Sequence, residues 1–142
     1  MSYRVKDYMD KEFPSIGLGV SVVEASKALA EAGTSYIIVL EKGKPKGMLT
    51  EDDLVRKVLA AEKDPKGMKV ADIMSSPLIT VDPDEDLIKA SELMQKNGIK
   101  RLPVVKEGII YGVLTSQNIA QKCGAYVEKS VKDILRWSFP MG

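Results

Sequence analysis

The stretch Gly47-Met-Leu-Thr-Glu-Asp-Asp53 decides the fold, because a shift of 65 residues brings it onto Gly112-Val-Leu-Thr-Ser-Gln-Asn118. In both places a glycine and apolar residues with strand character run into Thr-x-x-Asp or Thr-x-x-Asn, the signature of a helix start. Outward from this junction the register holds without a gap. Val5-Lys-Asp7-Tyr-Met9 falls on Val70-Ala-Asp72-Ile-Met74, Ala25-Ser26 on Ala90-Ser91, Gly33 on Gly98, Val39 on Val104 and Gly43 on Gly108. Apolar positions between them also agree: Ile16 with Val81, Val22 with Leu87, Leu29 with Met94, Leu54 with Ile119. Isolated identities arise by chance; glycines and core positions in one register do not. The chain is a tandem duplication.

Each copy carries the same order of elements. A short V-x-D-h-M segment opens it, followed by an extended stretch, Phe13–Ile16 in the first copy and Leu78–Val81 in the second. Ser21-Val-Val-Glu24 and Asp82-Pro-Asp-Glu85 read as capping boxes, the second with Pro at the first helical position. Apolar residues at helical spacing follow, and Gly33 and Gly98 end these helices. Tyr36-Ile-Ile-Val-Leu40 and Leu102-Pro-Val-Val105 predict buried strands, and turns at Gly43 and Gly108 lead to second strands ending at Thr50 and Thr115. A helix closes each copy. The fold class is therefore α/β (α+β), with two helix–strand–helix–strand–strand–helix repeats over 5–61 and 70–123. Residues 62–69 form a polar linker with Pro65 and Gly67, and 124–142 a C-terminal helix and tail. A unit of roughly 60 residues buries little surface alone, so the two repeats are expected to pack through their sheets about a pseudo-twofold axis.

Composition narrows the chemistry. Among 142 residues, 21 Lys and Arg stand against 20 Asp and Glu, for a net charge of +1. That balance argues against a nucleic-acid binder, whose phosphate contacts require a basic surplus. There is no His and one Cys, Cys123. Ser-His-Asp and Cys-His catalysis, the usual zinc sets and an internal disulfide are thereby excluded. No apolar run is long enough to span a bilayer and no signal-peptide pattern opens the chain, so a soluble cytoplasmic protein is expected, with no membrane partner. Gly17-Leu-Gly19 lacks the strand and third glycine of a dinucleotide fingerprint.

The two junctions are the strongest candidates for function. A strand-to-helix turn offers unpaired backbone N–H groups, the positive end of a helix dipole, a hydroxyl and a carboxylate. Hydroxyl and amides suit a phosphate; the carboxylate suits the vicinal hydroxyls of a ribose. The same residues equally form a capping box that only closes the helix, and spacing alone leaves both readings open.

The duplicated unit, with its V-x-D-h-M opening, its R-h-P-V strand (Arg101–Val104) and its G-h-h-T-x-x-D junction, resembles a tandem pair of CBS domains, the modules named after cystathionine beta-synthase. The resemblance implies two clefts at the seam of the repeats that take adenosine ligands: AMP first, with ADP, ATP or S-adenosylmethionine as alternatives. It further implies a homodimer, no cofactor, no catalysis, and a regulatory output to a partner protein. Carried over by position, it assigns Asp53 to a ribose and Thr50 to a phosphate, with Thr115 and Asn118 as the second pair. Asn118 replaces a carboxylate with an amide and loses charge-assisted strength, so the Asp53 cleft is the better candidate. Family clefts borrow the first strand of the other repeat, which gives Ser76, Pro77, Leu78, Ile79 and Thr80 to Asp53, and Ser15 and Ile16 to Asn118. Lys100 and Arg101 stand where the family often places a phosphate-contacting basic residue, with Pro103 a further cleft residue on the strand that follows; Tyr36 would stack on a base or bond a phosphate, or is only a half-exposed strand aromatic. The contrasting reading is a ligand-free oligomerisation and interaction module.

Overall fold

The computed structural model describes residues 3–122. Cys123 and the expected C-terminal helix lie outside the described residues. The described residues form a mixed α+β structure with two sheets, divided between two compact units. Their boundaries differ from those of the sequence repeats. One unit is Phe13–Leu78; the other joins the described residues before it, 3–12, to those from Ile79 onward.

In the first unit β1 (Ser15–Gly17) pairs in parallel with β2 (Tyr36–Glu41), which pairs antiparallel with β3 (Lys44–Thr50). Helix α1 (Val22–Ala32) starts where Ser21 accepts a hydrogen bond from the Glu24 amide at 3.1 Å and ends at Gly33 in the left-handed conformation. Both limits match the sequence reading. Its buried Val22, Ala25 and Leu29 pack with Ile37, Val39, Leu49, Val58, Val70 and Ile73. Helix α2 (Glu51–Leu54) continues as a π-helical turn, Val55–Leu59. A 3₁₀ turn, Val70–Asp72, completes the unit.

The second unit repeats this plan with pieces from both ends of the described chain. Its 3₁₀ turn is Val5–Asp7. Val81 forms a parallel bridge to Val104, in the place of β1, beside the hairpin of β4 (Arg101–Lys106) and β5 (Ile109–Thr115). Helices α3 (Leu87–Asn97) and α4 (Ser116–Lys122) follow their strands as in the first unit. The core joins Val5 and Met9 to Leu87, Met94, Leu102, Leu114 and Ile119.

Helix α3 begins later than the Asp82–Glu85 capping box predicts. Its cap is Asp86, which accepts from the Ile88 amide at 2.7 Å. The carbonyls that a helix from Pro83 would consume are taken elsewhere: Lys6 N donates to Pro83 O at 2.9 Å and Val5 N to Glu85 O at 3.0 Å. Asp82 instead closes a local turn by accepting from the Asp84 amide at 2.8 Å.

The opening segments explain why the junction glycines recur. Asp10 and Val113 exchange backbone hydrogen bonds of 2.9 and 3.0 Å; Met48 and Ser75 do the same at 3.2 and 2.9 Å. A Cβ on Gly112 would meet the Asp10 carbonyl at 2.5 Å and Met9 Sδ at 2.8 Å. One on Gly47 would meet Met74 Sδ at 2.5 Å and the Ser75 carbonyl at 2.9 Å. Each V-x-D-h-M segment thus closes over a strand that has no side chain at the point of contact. Alanine at position 112 must displace backbone, whereas the nearest atom at position 47 belongs to a flexible methionine. Gly112→Ala should therefore destabilise by about 1–3 kcal/mol and more than Gly47→Ala. Gly17→Ala, with open space around the added carbon, should stay within about 0.5 kcal/mol of wild type. Denaturant unfolding of the three variants checks the order.

An exposed ionic contact fastens the opening segment to its unit. Asp84 accepts from Lys6 Nζ at 2.9 Å and Lys106 Nζ at 3.3 Å, while Arg4 donates to its carbonyl at 2.9 Å. Hydrogen bonding to Lys6, then to Lys106, holds the Asp84 carboxyl below the usual carboxylate range. The same bonds raise both lysines. A lowered acid stabilises the fold above its unfolded value of about 3.9 and loses that contribution as pH falls through the folded value. Raised lysines act in the opposite sense, contributing below about pH 10.4 and failing as pH climbs past it. On acidification from pH 5 to 2.5, wild type should lose more stability than Asp84→Asn, and high salt should shrink the difference. Urea midpoints across the pH series measure it.

Candidate functional site

Both junctions are built as capping boxes. At α2 the Asp53 amide donates to Thr50 Oγ1 at 3.2 Å, and Asp53 Oδ2 accepts from the Thr50 amide at 2.9 Å and its hydroxyl at 3.2 Å. At α4 the Asn118 amide donates to Thr115 Oγ1 at 2.9 Å, and Asn118 Oδ1 accepts from the Thr115 amide at 2.9 Å. The first helical amide is also taken at each place: Glu51 N by the Ser35 carbonyl at 3.1 Å, Ser116 N by the Lys100 carbonyl at 2.9 Å. Asp53 and Asn118 are both buried, each 6% exposed. Of the two readings of the spacing, capping is realised at both places.

The junctions differ in what completes them. Lys57, one helical turn beyond Asp53, places Nζ 3.0 Å from Asp53 Oδ1 and donates to the Ile73 carbonyl at 2.8 Å. One cation therefore neutralises the buried carboxylate and ties α2 to the end of the 3₁₀ turn. Asn118 instead donates from Nδ2 to Asp10 Oδ1 at 3.0 Å. The first junction holds a carboxylate and an ammonium; the second holds an amide and a carboxylate. Neither Lys57 nor Asp10 stood out in the sequence. Lys57 had a signal, its spacing of four from Asp53. Asp10 had none, since its partner is 108 residues away.

The remaining sequence candidates separate by unit. With Asp53 in the first unit lie Ser76, whose hydroxyl donates to the Lys46 carbonyl at 3.1 Å, Pro77 after a cis peptide bond, and half-buried Leu78. Ser15 and Ile16 belong to the same unit, on β1 opposite Ile38 and Val39. Tyr36 pairs with Thr50 across the β2–β3 ladder but is buried at 6% exposure, not half-exposed. With Asn118 in the second unit lie Arg101, paired with Thr115, exposed Lys100, and buried Pro103, whose carbonyl accepts from Val81 N at 3.0 Å. Ile79 and Thr80 are exposed in that unit, just before Val81. Among the described residues no cluster of three His, Cys, Asp or Glu could hold a metal, and no helix is long and apolar enough to cross a membrane.

The CBS domain family matches twice, over residues 5–60 and 70–124. The chain belongs to the CBS-domain family. A protein of Methanopyrus kandleri, MK0525, is 43% identical over 103 residues, which are 71% of this chain and 53% of that protein; the chain thus spans about half of this relative's length. The CBS-domain protein TA0289 of Thermoplasma acidophilum superposes with a TM-score of 0.81 at 25% identity, covering 95% of this chain and 75% of that one. The CBS domain pair of MJ0100, solved with 5′-methylthioadenosine and S-adenosyl-L-methionine, gives 0.76 at 28% identity over 86% and 100% of the two chains.

Within this CBS pair the buried Asp53 depends on Lys57 for its counter-charge. Lys57→Met leaves Asp53 Oδ1 and the Ile73 carbonyl without the donor they share, and should cost about 1–3 kcal/mol. Arg56→Met, which breaks only the exposed pair with Asp52, should cost less. Thermal or urea unfolding of the two variants compares them.

Proposed function

We propose that this CBS pair is a regulatory module that binds an adenosine nucleotide and passes its occupancy to a partner protein. AMP is the first candidate; ADP, ATP and S-adenosylmethionine are its competitors. The observation that carries the reading is the pair of Thr-x-x-Asp and Thr-x-x-Asn boxes, with Asp53 and Asn118 buried, in a chain of this family. A structural neighbour holding two adenosine derivatives supports it. Each box fixes a polar side chain beside a helix start, with hydroxyl-recognising atoms rigid before a ligand arrives. Preorganisation of this kind lowers the ordering cost of binding.

Asp53 would take the ribose hydroxyls, with Thr50 beside the phosphate; Arg101 would provide planar, bidentate phosphate contact in the second unit. A ligand favouring one arrangement shifts the population toward it by its differential affinity, which suffices for a sensor without catalysis. The working state would be a cytoplasmic homodimer, with no cofactor, membrane or nucleic acid involved.

A second reading has its own support. Asp53 already has partners for both carboxylate oxygens, and Val55 and Leu59 stand 52% and 72% exposed one turn apart. A ligand-free interaction module would have both features.

Calorimetric titration with AMP, ADP, ATP and S-adenosylmethionine separates the readings, the absence of heat and of any melting shift with all four favouring the second. Where AMP binds, Asp53→Ala should weaken it about 10- to 100-fold and Asn118→Ala by less than about 10-fold. The reverse order would assign the stronger site to the second unit.

A further inference from the structure

The second junction lacks the carboxylate of the first at the equivalent position, yet it does not lack a carboxylate. We propose that Asp10, from the opening segment, is the group that reads the vicinal hydroxyls of a ribose in the second unit, in the place of Asn118. This assignment rests on the adenosine-ligand reading above and names the residue that performs it.

Asn118 is poorly suited to the task by itself. Its Oδ1 already accepts from the Thr115 amide at 2.9 Å, which also fixes which end of the side chain is nitrogen. Its Nδ2 therefore faces Asp10, and donates to Oδ1 of that carboxylate at 3.0 Å. The pair combines an anionic acceptor with an amide N–H still to give. Two neighbouring hydroxyls can engage such a pair, one donating to the carboxylate and the other accepting from the amide.

Asp10 is held well enough for recognition. Its backbone is bonded in both directions to Val113, at 2.9 and 3.0 Å, on the strand that leads to Thr115. Asn118 donates to its carboxylate, and among the described residues no ion pair engages it. The opening segment around it, Lys6, Asp7, Met9, Asp10, Lys11 and Glu12, borders an open surface hollow. In the first unit the equivalent place is Ser75, which keeps the same backbone pairing and brings no charge. Each junction thus carries one carboxylate, delivered by α2 in the first unit and by the opening segment in the second.

The test uses the full chain in an Asp53→Asn background, which removes the first carboxylate with little change of shape. AMP and 2′-deoxyAMP are titrated calorimetrically before and after Asp10→Ser, a substitution that copies the residue type of Ser75, and after Asp10→Asn, which preserves the bond to Asn118. Hydroxyl recognition predicts that AMP affinity falls about 10-fold with either substitution. It predicts too that the preference for AMP over 2′-deoxyAMP collapses toward one. Equal weakening of both ligands with the preference intact would overturn the assignment, reducing Asp10 to a support for Asn118. So would unchanged binding, or no binding in the Asp53→Asn background. Failure of the wild-type chain to bind AMP, ADP, ATP or S-adenosylmethionine would instead overturn the adenosine reading itself, and this assignment with it.

Discussion

The close approach of a backbone carbonyl to a strand at a residue without a side chain is the contact that holds each unit closed. Asp10 reaches Val113 and Ser75 reaches Met48 only because Gly112 and Gly47 leave room for Met9 and Met74 to lie across the strand. Once the two-way hydrogen bonds form, the rest of the opening segment is placed. Val5 and Val70 become fully buried, and the 3₁₀ turns close over the ends of their cores. Burial of a valine or methionine contributes about 1.5–3 kcal/mol, so the segment is part of the core and not an appendage.

That contact also sets the chemistry of the junctions. The residue after the methionine, Asp10 or Ser75, is carried beside the strand that ends in the capping threonine. In the second unit this residue joins Asn118 directly. In the first, the bond comes from Lys57, which links Asp53 to the carbonyl of Ile73 in the same opening segment. Two copies of one motif thus complete the polar side chain of the capping box with opposite charge on the supporting residue. Buried polar groups demand partners, and each copy finds one among the residues its own packing supplies.

Part of the site is legible in the residues alone. Thr50, Asp53, Thr115 and Asn118 follow from spacing, because a capping box is confined to four consecutive residues. The burial of Tyr36 is not legible, since an aromatic at the start of a strand has the same local pattern whether covered or open. Nor is the start of α3, because the capping pattern at Asp82 is sound locally and is defeated by amides from Val5 and Lys6.

The duplication, the order of strands and helices, the glycine-terminated helices and the two capping boxes can all be read from the order of residues. Each is set by periodicity or by neighbours a few residues apart. Folding in three dimensions was needed to show that Val5–Met9 completes the unit built around the second hairpin, and that Lys57 and Asp10 finish the two junctions. Hydrogen bonds and packing between distant segments depend on where the backbone travels, and a residue's type does not record which remote partner it will meet.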